Sequence, residues 1–207
     1  MLKLDLAKRY TSYYTAKATP EIVQIEKAQF MCLQGKGDPN AHTFTVDIEA
    51  LYSTAYALKF ACKADNNDFT VAKLEALWWF DTDGMPEVNM YNAPTLIPRS
   101  EWEYELMIRL PEFVHEEMLE TAREKTFNKK QNERIKEIRF KEIEEGKCVQ
   151  ILHIGPFATE PVSLKLMDNF MRSHQLSQNG KHHEIYLSDF RKTASEKLRT
   201  ILREPVR

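Results

Sequence analysis

Apolar and polar positions follow the same order twice along this chain. Each series starts with an apolar run that ends near a glycine, passes through a stretch with helical spacing, and closes with an apolar run followed by Arg, one residue and Pro. The first series occupies residues 29–35, about 45–63, 75–80 and 106–111, and the second occupies residues 150–157, about 159–174, 184–187 and 200–205. This order predicts two β-α-β-β modules related by pseudo-symmetry, and the seam between such modules is a common place for a ligand pocket.

The helical spacing within residues 45–63 produces two adjacent rows of apolar side chains. One row contains Ile48, Leu51, Ala55, Leu58 and Cys62, and the other contains Tyr52, Tyr56 and Phe60. Packing against the core explains both rows. A second interpretation places the hydroxyl of Tyr52 or Tyr56 over the helix edge and into a pocket.

Two later stretches also have helical spacing. Residues 111 to about 131 are rich in both charge signs, which is typical of a solvated helix, and this helix connects the two halves. In the stretch from about residue 159, Thr159 is a candidate N-cap, and Glu160 in the first turn is expected to stabilise the helix N-terminus.

The segments between the helices predict strands, a hairpin and a long loop. Residues 138–143 alternate in polarity, Glu145 and Gly146 form a turn, and residues 147–154 form the next strand, which together predict a β-hairpin. Residues 22–35 form one or two strands. The long segment between residues 80 and 101 contains Gly84, Pro86, Pro94 and Pro98, and long loops inside compact domains tend to be functional, so we expect a lid or wall of the pocket.

Few helices and mostly sequential strands predict the α+β class: an antiparallel sheet with helices on one face. The other face is then free to form a ligand groove between the modules. We expect one domain over residues 1–207, with an N-terminal arm (1–20), a first module (21–111), a connecting helix (112–137) and a second module (138–207). The arm is expected to lie on the body, and it could fold over the groove.

Composition narrows the classes of partner and compartment. The net charge of −2 gives no electrostatic case for nucleic acid or an anionic membrane surface, and no apolar run reaches transmembrane length. The three cysteines are scattered and the N-terminus lacks the apolar core of a signal peptide, so we expect buried thiols in a reducing cytoplasm. His182 and His183 have no third metal ligand at convincing spacing, so we expect no metal and no cofactor. The sequence does not indicate an oligomeric state.

Strand alternation selects the candidate chemical groups. If Ile185 faces the helices, Glu184 and Tyr186 face the groove. A carboxylate flanked by aromatic residues would be desolvated, which suits pairing with a cationic ligand or general-base catalysis on a water molecule. The alternative is a surface carboxylate that pairs with a lysine. Glu75 is the counterpart of Glu184 in the first half.

Aromatic residues cluster in the same part of the sequence. Trp78, Trp79 and Trp102 either fill the core or form walls for a flat or cationic ligand. His153 precedes a Gly-Pro-Phe sequence and is a candidate acid or hydrogen-bond donor in the groove. The pattern alone does not decide which tryptophan reaches the groove, because a one-residue slip reverses every face of a strand.

Residues 153–157, 160–161, 183–189 and 201–205 resemble, in this order, motifs of the GyrI-like small-molecule-binding family. Residues 35–40 resemble a stand-alone subgroup of that family. The resemblance implies two tandem β-α-β-β modules side by side with the ligand groove between them. It also implies binding of bulky aromatic or cationic drugs. In the transcription-regulator members, a glutamate that matches Glu184 lies in the pocket. Those members also carry a separate DNA-binding domain, which is expected to be missing here.

Some stand-alone members that this chain resembles are hydrolases that open the strained cyclopropane of DNA-alkylating natural products. The resemblance implies that Glu184 activates water and that Tyr186, Tyr104 or His153 donates a hydrogen bond to the ring carbonyl. Trp79 and Trp102 would enclose the flat substrate. The remaining candidates for the lining are Tyr52, Glu75 and Phe157.

Three functional hypotheses therefore stand: a cyclopropane hydrolase that detoxifies its substrate, a non-catalytic binder that sequesters aromatic or cationic compounds, and a protein-interaction module resembling gyrase inhibitors. A groove carboxylate beside a proton donor favours the hydrolase. An isolated glutamate surrounded by aromatic residues favours the binder, and an exposed apolar patch outside the groove favours the interaction module.

Overall fold

The computed structural model describes residues 3–81, 83, 88, 89 and 91–207. Gly84 and Pro86, which belong to the predicted lid, lie outside these residues. The strands are β1 (Leu4–Asp5), β2 (Glu21–Ile25), β3 (Ala28–Lys36), β4 (Phe69–Thr70), β5 (Leu74–Trp79), β6 (Glu103–Arg109), β7 (Arg139–Ile143), β8 (Gly146–Ile154), β9 (His182–Tyr186) and β10 (Arg199–Pro205). The helices are α1 (Leu6–Arg9), α2 (His42–Ala64), α3 (Ala93–Leu96), α4 (Glu116–Lys130) and α5 (Glu160–Ser173).

One antiparallel sheet organises the described part of the chain. Its strand order is β2-β8-β10-β9-β5-β6-β3-β7. The first repeat contributes β3, α2, β5 and β6, and the second repeat contributes β8, α5, β9 and β10. The repeats join at the centre of the sheet, where Glu75 of β5 pairs with Ile185 of β9. The predicted α+β fold with two tandem repeats is confirmed.

The two edges of the sheet are exchanged between the repeats. β2 precedes β3 along the chain but pairs with β8 of the second repeat, and β7 precedes β8 but pairs with β3 of the first repeat. The predicted hairpin between residues 138–143 and 147–154 is therefore wrong. The alternation and the turn residues are typical of a hairpin. Local spacing does not determine which strand an edge strand pairs with, however, so β7 and β8 pair with other strands.

The helices of the two repeats, α2 and α5, pack on the same face of the sheet. α2 covers β3 and β6 and buries the apolar row predicted for it, namely Ile48, Leu51, Ala55, Leu58 and Cys62. α5 covers β8 through Leu164 and Met167. Tyr56 and Phe60 of the second row are exposed. Within the described residues, no helix is both long enough and apolar enough to cross a membrane.

The N-terminal arm covers the opposite face of the sheet. The hydroxyl of Tyr13 donates a hydrogen bond to Glu75 Oε2 at 2.5 Å, and Tyr13, Tyr14 and Leu6 are buried. The expectation of a groove on the helix-free face is therefore wrong, because the arm occupies that face. A cavity opens instead on the helix face, between the two repeats, and the arm does not fold over it.

Candidate functional site

A cavity of about 330 Å³ lies between the repeats, on the face of the sheet that carries α2 and α5. Its walls are mostly apolar and aromatic, and two carboxyl side chains enter it. The lining residues are Pro39, Asn40, Phe44, Trp78, Pro94, Arg99, Trp102, Phe157, Ala158, Glu160, Pro161, Leu164, Glu184, Tyr186 and Phe190. A concave, mainly apolar site with a few polar groups is the usual form of a small-molecule pocket.

β9 supplies the polar floor of the cavity. Side chains alternate along a strand, so Glu184 and Tyr186 point into the cavity while Ile185 packs on the opposite face with the arm. Ala76 of β5 is the cross-strand neighbour of Glu184. The prediction that Ile185 faces the helices is therefore wrong: Ile185 packs against the arm, and Glu184 and Tyr186 lie on the helix face, where the cavity opens.

Glu184 lies at the end of a short chain of hydrogen bonds. The hydroxyl of Tyr186 donates to Glu184 Oε2 at 2.7 Å, and the indole Nε1 of Trp78 donates to the same hydroxyl at 3.1 Å. Burial, and then the charge of Glu184, raise the pKa of Tyr186 well above its ordinary value. Tyr186 is therefore a neutral phenol whose proton is committed to the carboxylate.

Glu160 is the second carboxyl group in the cavity. It is the first residue of α5, is followed by Pro161, and is only 7% exposed. Its Oε1 atom has no hydrogen-bond partner among the described residues. Burial, and then the nearby charge of Glu184, raise the pKa of Glu160 well above its usual range. The raised pKa makes Glu160 a candidate proton donor in the cavity.

His182 is buried beside Glu184, on the same face of β9. Its Nδ1 atom is 2.7 Å from Glu204 Oε1, and its Nε2 atom is 3.5 Å from Glu184 Oε1. Burial opposes a charge on the ring, but the carboxylates of Glu204 and Glu184 outweigh that cost and raise the pKa of His182 to about 10. His182 is an imidazolium at neutral pH.

The aromatic walls form two groups on either side of the carboxyl groups. On the side of the first repeat, Phe44 stacks on Trp78 with ring centroids 5.8 Å apart, and Trp78 meets Trp102 edge to face at 6.0 Å. On the side of the second repeat, Phe157, Tyr186 and Phe190 contact one another edge to face. Such edge-to-face contacts hold the rings as fixed apolar surfaces.

Residues 18–207 match the model of the GyrI-like small molecule binding domain. The chain belongs to this GyrI-like family. The predicted resemblance is confirmed, and so is the binding of small molecules as the general role of the domain.

Solved structures from Listeria innocua resemble this GyrI-like chain over its whole length. A conserved protein from that organism, described as uncharacterized, is 34% identical with a TM-score of 0.87, over 99% of this chain and 100% of that one. A hydrolase from Listeria innocua is 34% identical with a TM-score of 0.84, over 99% and 100%. Another hydrolase is 35% identical with a TM-score of 0.85, over 100% of both chains. No curated protein sequence matches this chain significantly.

Four of the predicted site residues line the cavity of this GyrI-like domain: Glu184, Tyr186, Trp102 and Phe157. Trp79 lies elsewhere, because it alternates with Trp78, and the Nζ atom of Lys181 is 3.0 Å from its ring centroid. Trp78 occupies the cavity wall in its place.

Two predicted tyrosines lie next to the cavity without entering it. Tyr104 is buried, and its hydroxyl donates to Asp47 Oδ2 at 2.8 Å. Burial, and then this hydrogen bond, raise its pKa. Tyr52 lines a neighbouring cavity of about 310 Å³ that shares the wall formed by Tyr186 and Phe190.

Glu75 lies on the opposite face of the sheet from the cavity. It is the partner of Ile185 across the strands and is fully buried, with Tyr13 and His183 as its partners. The prediction that treated it as the counterpart of Glu184 was one residue out of register, which reverses the face.

His153 organises the start of α5. Its Nδ1 atom is 2.9 Å from the Ser163 hydroxyl, and its Nε2 atom is 3.2 Å from the Pro156 carbonyl oxygen. Thr159 makes no side-chain cap bond to the helix; its hydroxyl donates to the Pro156 carbonyl at 2.8 Å instead. Both side chains thereby fix the turn that carries Phe157 and Glu160.

Several cavity residues did not stand out in the sequence. Glu160 has the pattern of an ordinary helix-start glutamate, and only tertiary packing buries it. Phe44 precedes the predicted helix start and Phe190 lies in a polar segment. Among the described residues, no group of three or more His, Cys, Asp or Glu side chains could hold a metal ion.

Proposed function

We propose that this GyrI-like protein hydrolyses the cyclopropane ring of flat aromatic DNA-alkylating compounds. The observation that carries the proposal is the presence of two carboxyl groups in one aromatic cavity, of which Glu160 is buried with a raised pKa and Glu184 accepts a phenol hydrogen bond. Pairs of titratable groups whose environments separate their protonation states are typical of acid-base catalysis. The hydrolases from Listeria innocua that resemble the whole chain give further support.

The reaction needs one base and one acid. Glu184 takes a proton from water, and the water oxygen forms a bond to a cyclopropane carbon. The carbon–carbon bond of the three-membered ring breaks, and its electron pair moves through the conjugated ring to the carbonyl oxygen, which takes the proton of Glu160. A proton then passes from Glu184 back to Glu160, so both groups return to their starting forms.

Tyr186 acts through Glu184 in this scheme. Its proton already lies toward Glu184 Oε2, and its oxygen accepts the Trp78 hydrogen bond. The phenol therefore orients the base, and Glu160 takes the role of donor that the sequence assigned to Tyr186, Tyr104 or His153.

The walls suit a flat ligand. Trp78, Trp102 and Phe44 form one aromatic surface, and Phe157 and Phe190 contribute to the other. A planar substrate held between them loses little rotational freedom on reaching the transition state, so positioning supplies part of the rate enhancement.

Sequestration without turnover is the second candidate. A carboxylate enclosed by aromatic faces also attracts an organic cation. Glu184 and its aromatic neighbours would form that binding site as well. The proton donor beside Glu184 favours hydrolysis over this alternative.

The test is turnover of a cyclopropane-bearing, carbonyl-conjugated alkylating compound by purified protein, followed by absorbance and by the mass gain of one water. We expect catalytic addition of water by the wild type and a loss of about 10²–10⁴-fold in Glu184→Gln, with binding retained. Glu124→Gln, on the exposed face of α4, is the matched control and should turn over normally.

Each other outcome points elsewhere. Binding without turnover in both wild type and Glu184→Gln would establish a sequestering protein. Absence of both binding and turnover would refute the cavity as a site for such compounds, and a protein partner would become the better hypothesis.

A further inference from the structure

We propose that His182 is a positioning residue that holds the Glu184 carboxylate from the neighbouring position on the same face of β9, and that Glu204 anchors His182 for this role. The inference rests on the proposed function of Glu184 as a base. It assigns a role to the closing Arg-Glu-Pro sequence of the second repeat, in which Glu204 is the middle residue; the corresponding position of the first repeat is Leu110.

The three side chains form a buried row across β9 and β10. The His182 side chain is fully buried, and the side chains of Glu184 and Glu204 are only 13% and 8% exposed. The two nitrogens of one imidazole face two different carboxylates, at 2.7 Å for Glu204 and 3.5 Å for Glu184. Glu204 is held in turn, since Gln178 Nε2 donates to its Oε2 atom at 3.0 Å.

The hydrogen-bonding capacity of imidazole determines its charge here. A neutral ring has one N–H and one lone pair, so either tautomer would turn a lone pair toward a carboxylate oxygen. Nδ1 forms the hydrogen bond, to Glu204, whereas Nε2 has no hydrogen-bond partner among the described residues and faces Glu184 Oε1 at 3.5 Å as an ion-pair contact. Carboxylates on both sides therefore keep the proton on His182, and the cation in turn attracts and orients Glu184.

The charged and titratable groups around His182 come from three elements. Glu184 and Tyr186 lie on the same strand, Glu204 lies on β10, and Glu160 lies at the start of α5. Trp78 is the cross-strand neighbour on β5 and carries no charge. All the acidic groups of this set favour the cation, and Glu160 contributes least while it holds its proton.

The adjacent residue provides an internal control. His183 points to the other face of the same strand, where its nitrogens lie 3.0 Å from Glu75 Oε2 and 2.9 Å from Glu145 Oε1. It has the same type of environment as His182 but no access to the cavity. Substitution of its partners should therefore change the titration of His183 without changing the cavity around Glu184.

The first measurement needs no substrate. The imidazole resonances of His182 and the side-chain carboxyl carbon of Glu184 are followed by NMR in labelled protein from pH 6 to 10.5. We expect the Glu184 resonance to shift as His182 titrates, in the wild type itself. A Glu184 resonance that does not respond to the His182 titration overturns the proposal, whether or not any variant folds.

The second measurement compares Glu204→Gln with Glu145→Gln. Removal of the Glu204 charge should move the His182 titration to lower pH, and the response of the Glu184 resonance should move with it. Glu145→Gln should move the titration of His183 and leave the response of the Glu184 resonance in place. If Glu204→Gln moves the His182 titration but the Glu184 resonance does not follow, His182 is only structural and the proposal is wrong.

The two proposals can fail separately. Absence of turnover in every form of the protein refutes the hydrolase function but leaves the NMR coupling between His182 and Glu184 as the test of positioning. Turnover that depends on Glu184, combined with a silent Glu184 resonance, retains the hydrolase and removes the role of His182.

Discussion

Tyr186 donates its phenol proton to Glu184, two residues earlier on the same strand, at 2.7 Å. The two side chains share a face because strand residues alternate, so the backbone of β9 alone sets their spacing. This relationship makes the orientation of the candidate base a property of the sheet and not of a loop.

Tyr186→Phe should therefore reduce turnover, while the phenylalanine ring keeps the aromatic wall of the cavity in place. The variant removes the hydrogen bond to Glu184 and leaves Trp78 Nε1 without its acceptor. We expect kcat to fall by roughly 10-fold or more while KM changes little, and stability to fall by about 1 kcal/mol. Steady-state kinetics with a cyclopropane substrate and urea unfolding check both values. An unchanged kcat would show that Glu184 needs no orienting phenol.

Tyr104→Phe is the matched change outside the cavity. The Tyr104 hydroxyl binds Asp47, which also receives Arg134 at 2.5 Å. Loss of the buried hydrogen bond should cost about 1–2 kcal/mol of stability, while turnover per folded molecule stays at the wild-type value. A large fall in kcat for this variant would return Tyr104 to the site, as the sequence had predicted.

Glu160→Gln separates the acid from the base. The raised pKa of Glu160 means that the folded state resists its ionisation, so its penalty on stability is absent below about pH 4.5 and grows as pH rises toward the folded pKa. The amide has no such penalty. We expect a higher melting temperature than wild type at pH 7 to 8, no such gain near pH 4, and a loss of about 10²-fold or more in turnover. A lower melting temperature at both pH values would contradict a protonated Glu160.

Stability as a whole should decrease in alkaline solution. The pKa of His183 is raised to about 9, because Glu145 and Glu75 outweigh the cost of burial, and that of His182 is raised to about 10. Groups with raised folded pKa values stabilise fully below the unfolded value of 6.5, and this contribution is lost as pH rises through 9 and 10.

The stability of the protein should also decrease in acidic solution. His183 and then Arg203 outweigh burial and lower the pKa of Glu145 to about 2, so its contribution is present above about pH 4.5 and is lost as pH falls toward 2. Urea unfolding from pH 3 to 10 should give a maximum near pH 5 to 6.5. In His183→Gln the alkaline decline should be shallower, and an identical decline would exclude His183 as its cause.

The sequence predicted what repeats and periodicity encode. The duplicated series, the long helix α2 and the shared face of Glu184 and Tyr186 each follow from local spacing, whereas the choice of the helix face for these two residues does not. Motif order also predicted the family, because residues 153–157 and 183–189 are needed together to build one pocket.

The rest depended on contacts that no local pattern contains. Trp78 and Trp79 are equivalent as sequence, and only the strand register selects Trp78 for the cavity. The burial of Glu160 results from the packing of α5 against the sheet. The arm was predicted to lie on the body, but no local pattern shows that the hydroxyl of Tyr13 donates a hydrogen bond to Glu75 on the face where the groove was expected.

The exchange of the edge strands also affects how the protein can be made. β2 emerges from the ribosome before β3, yet its partner β8 lies in the second repeat, so β2 waits without a partner until most of the chain has been synthesised. Neither half, expressed alone, would contain both strands of its outer pair, and each would present an unpaired, aggregation-prone edge. The two halves are therefore one cooperative folding unit, and pairing over such long sequence distances should make folding slow.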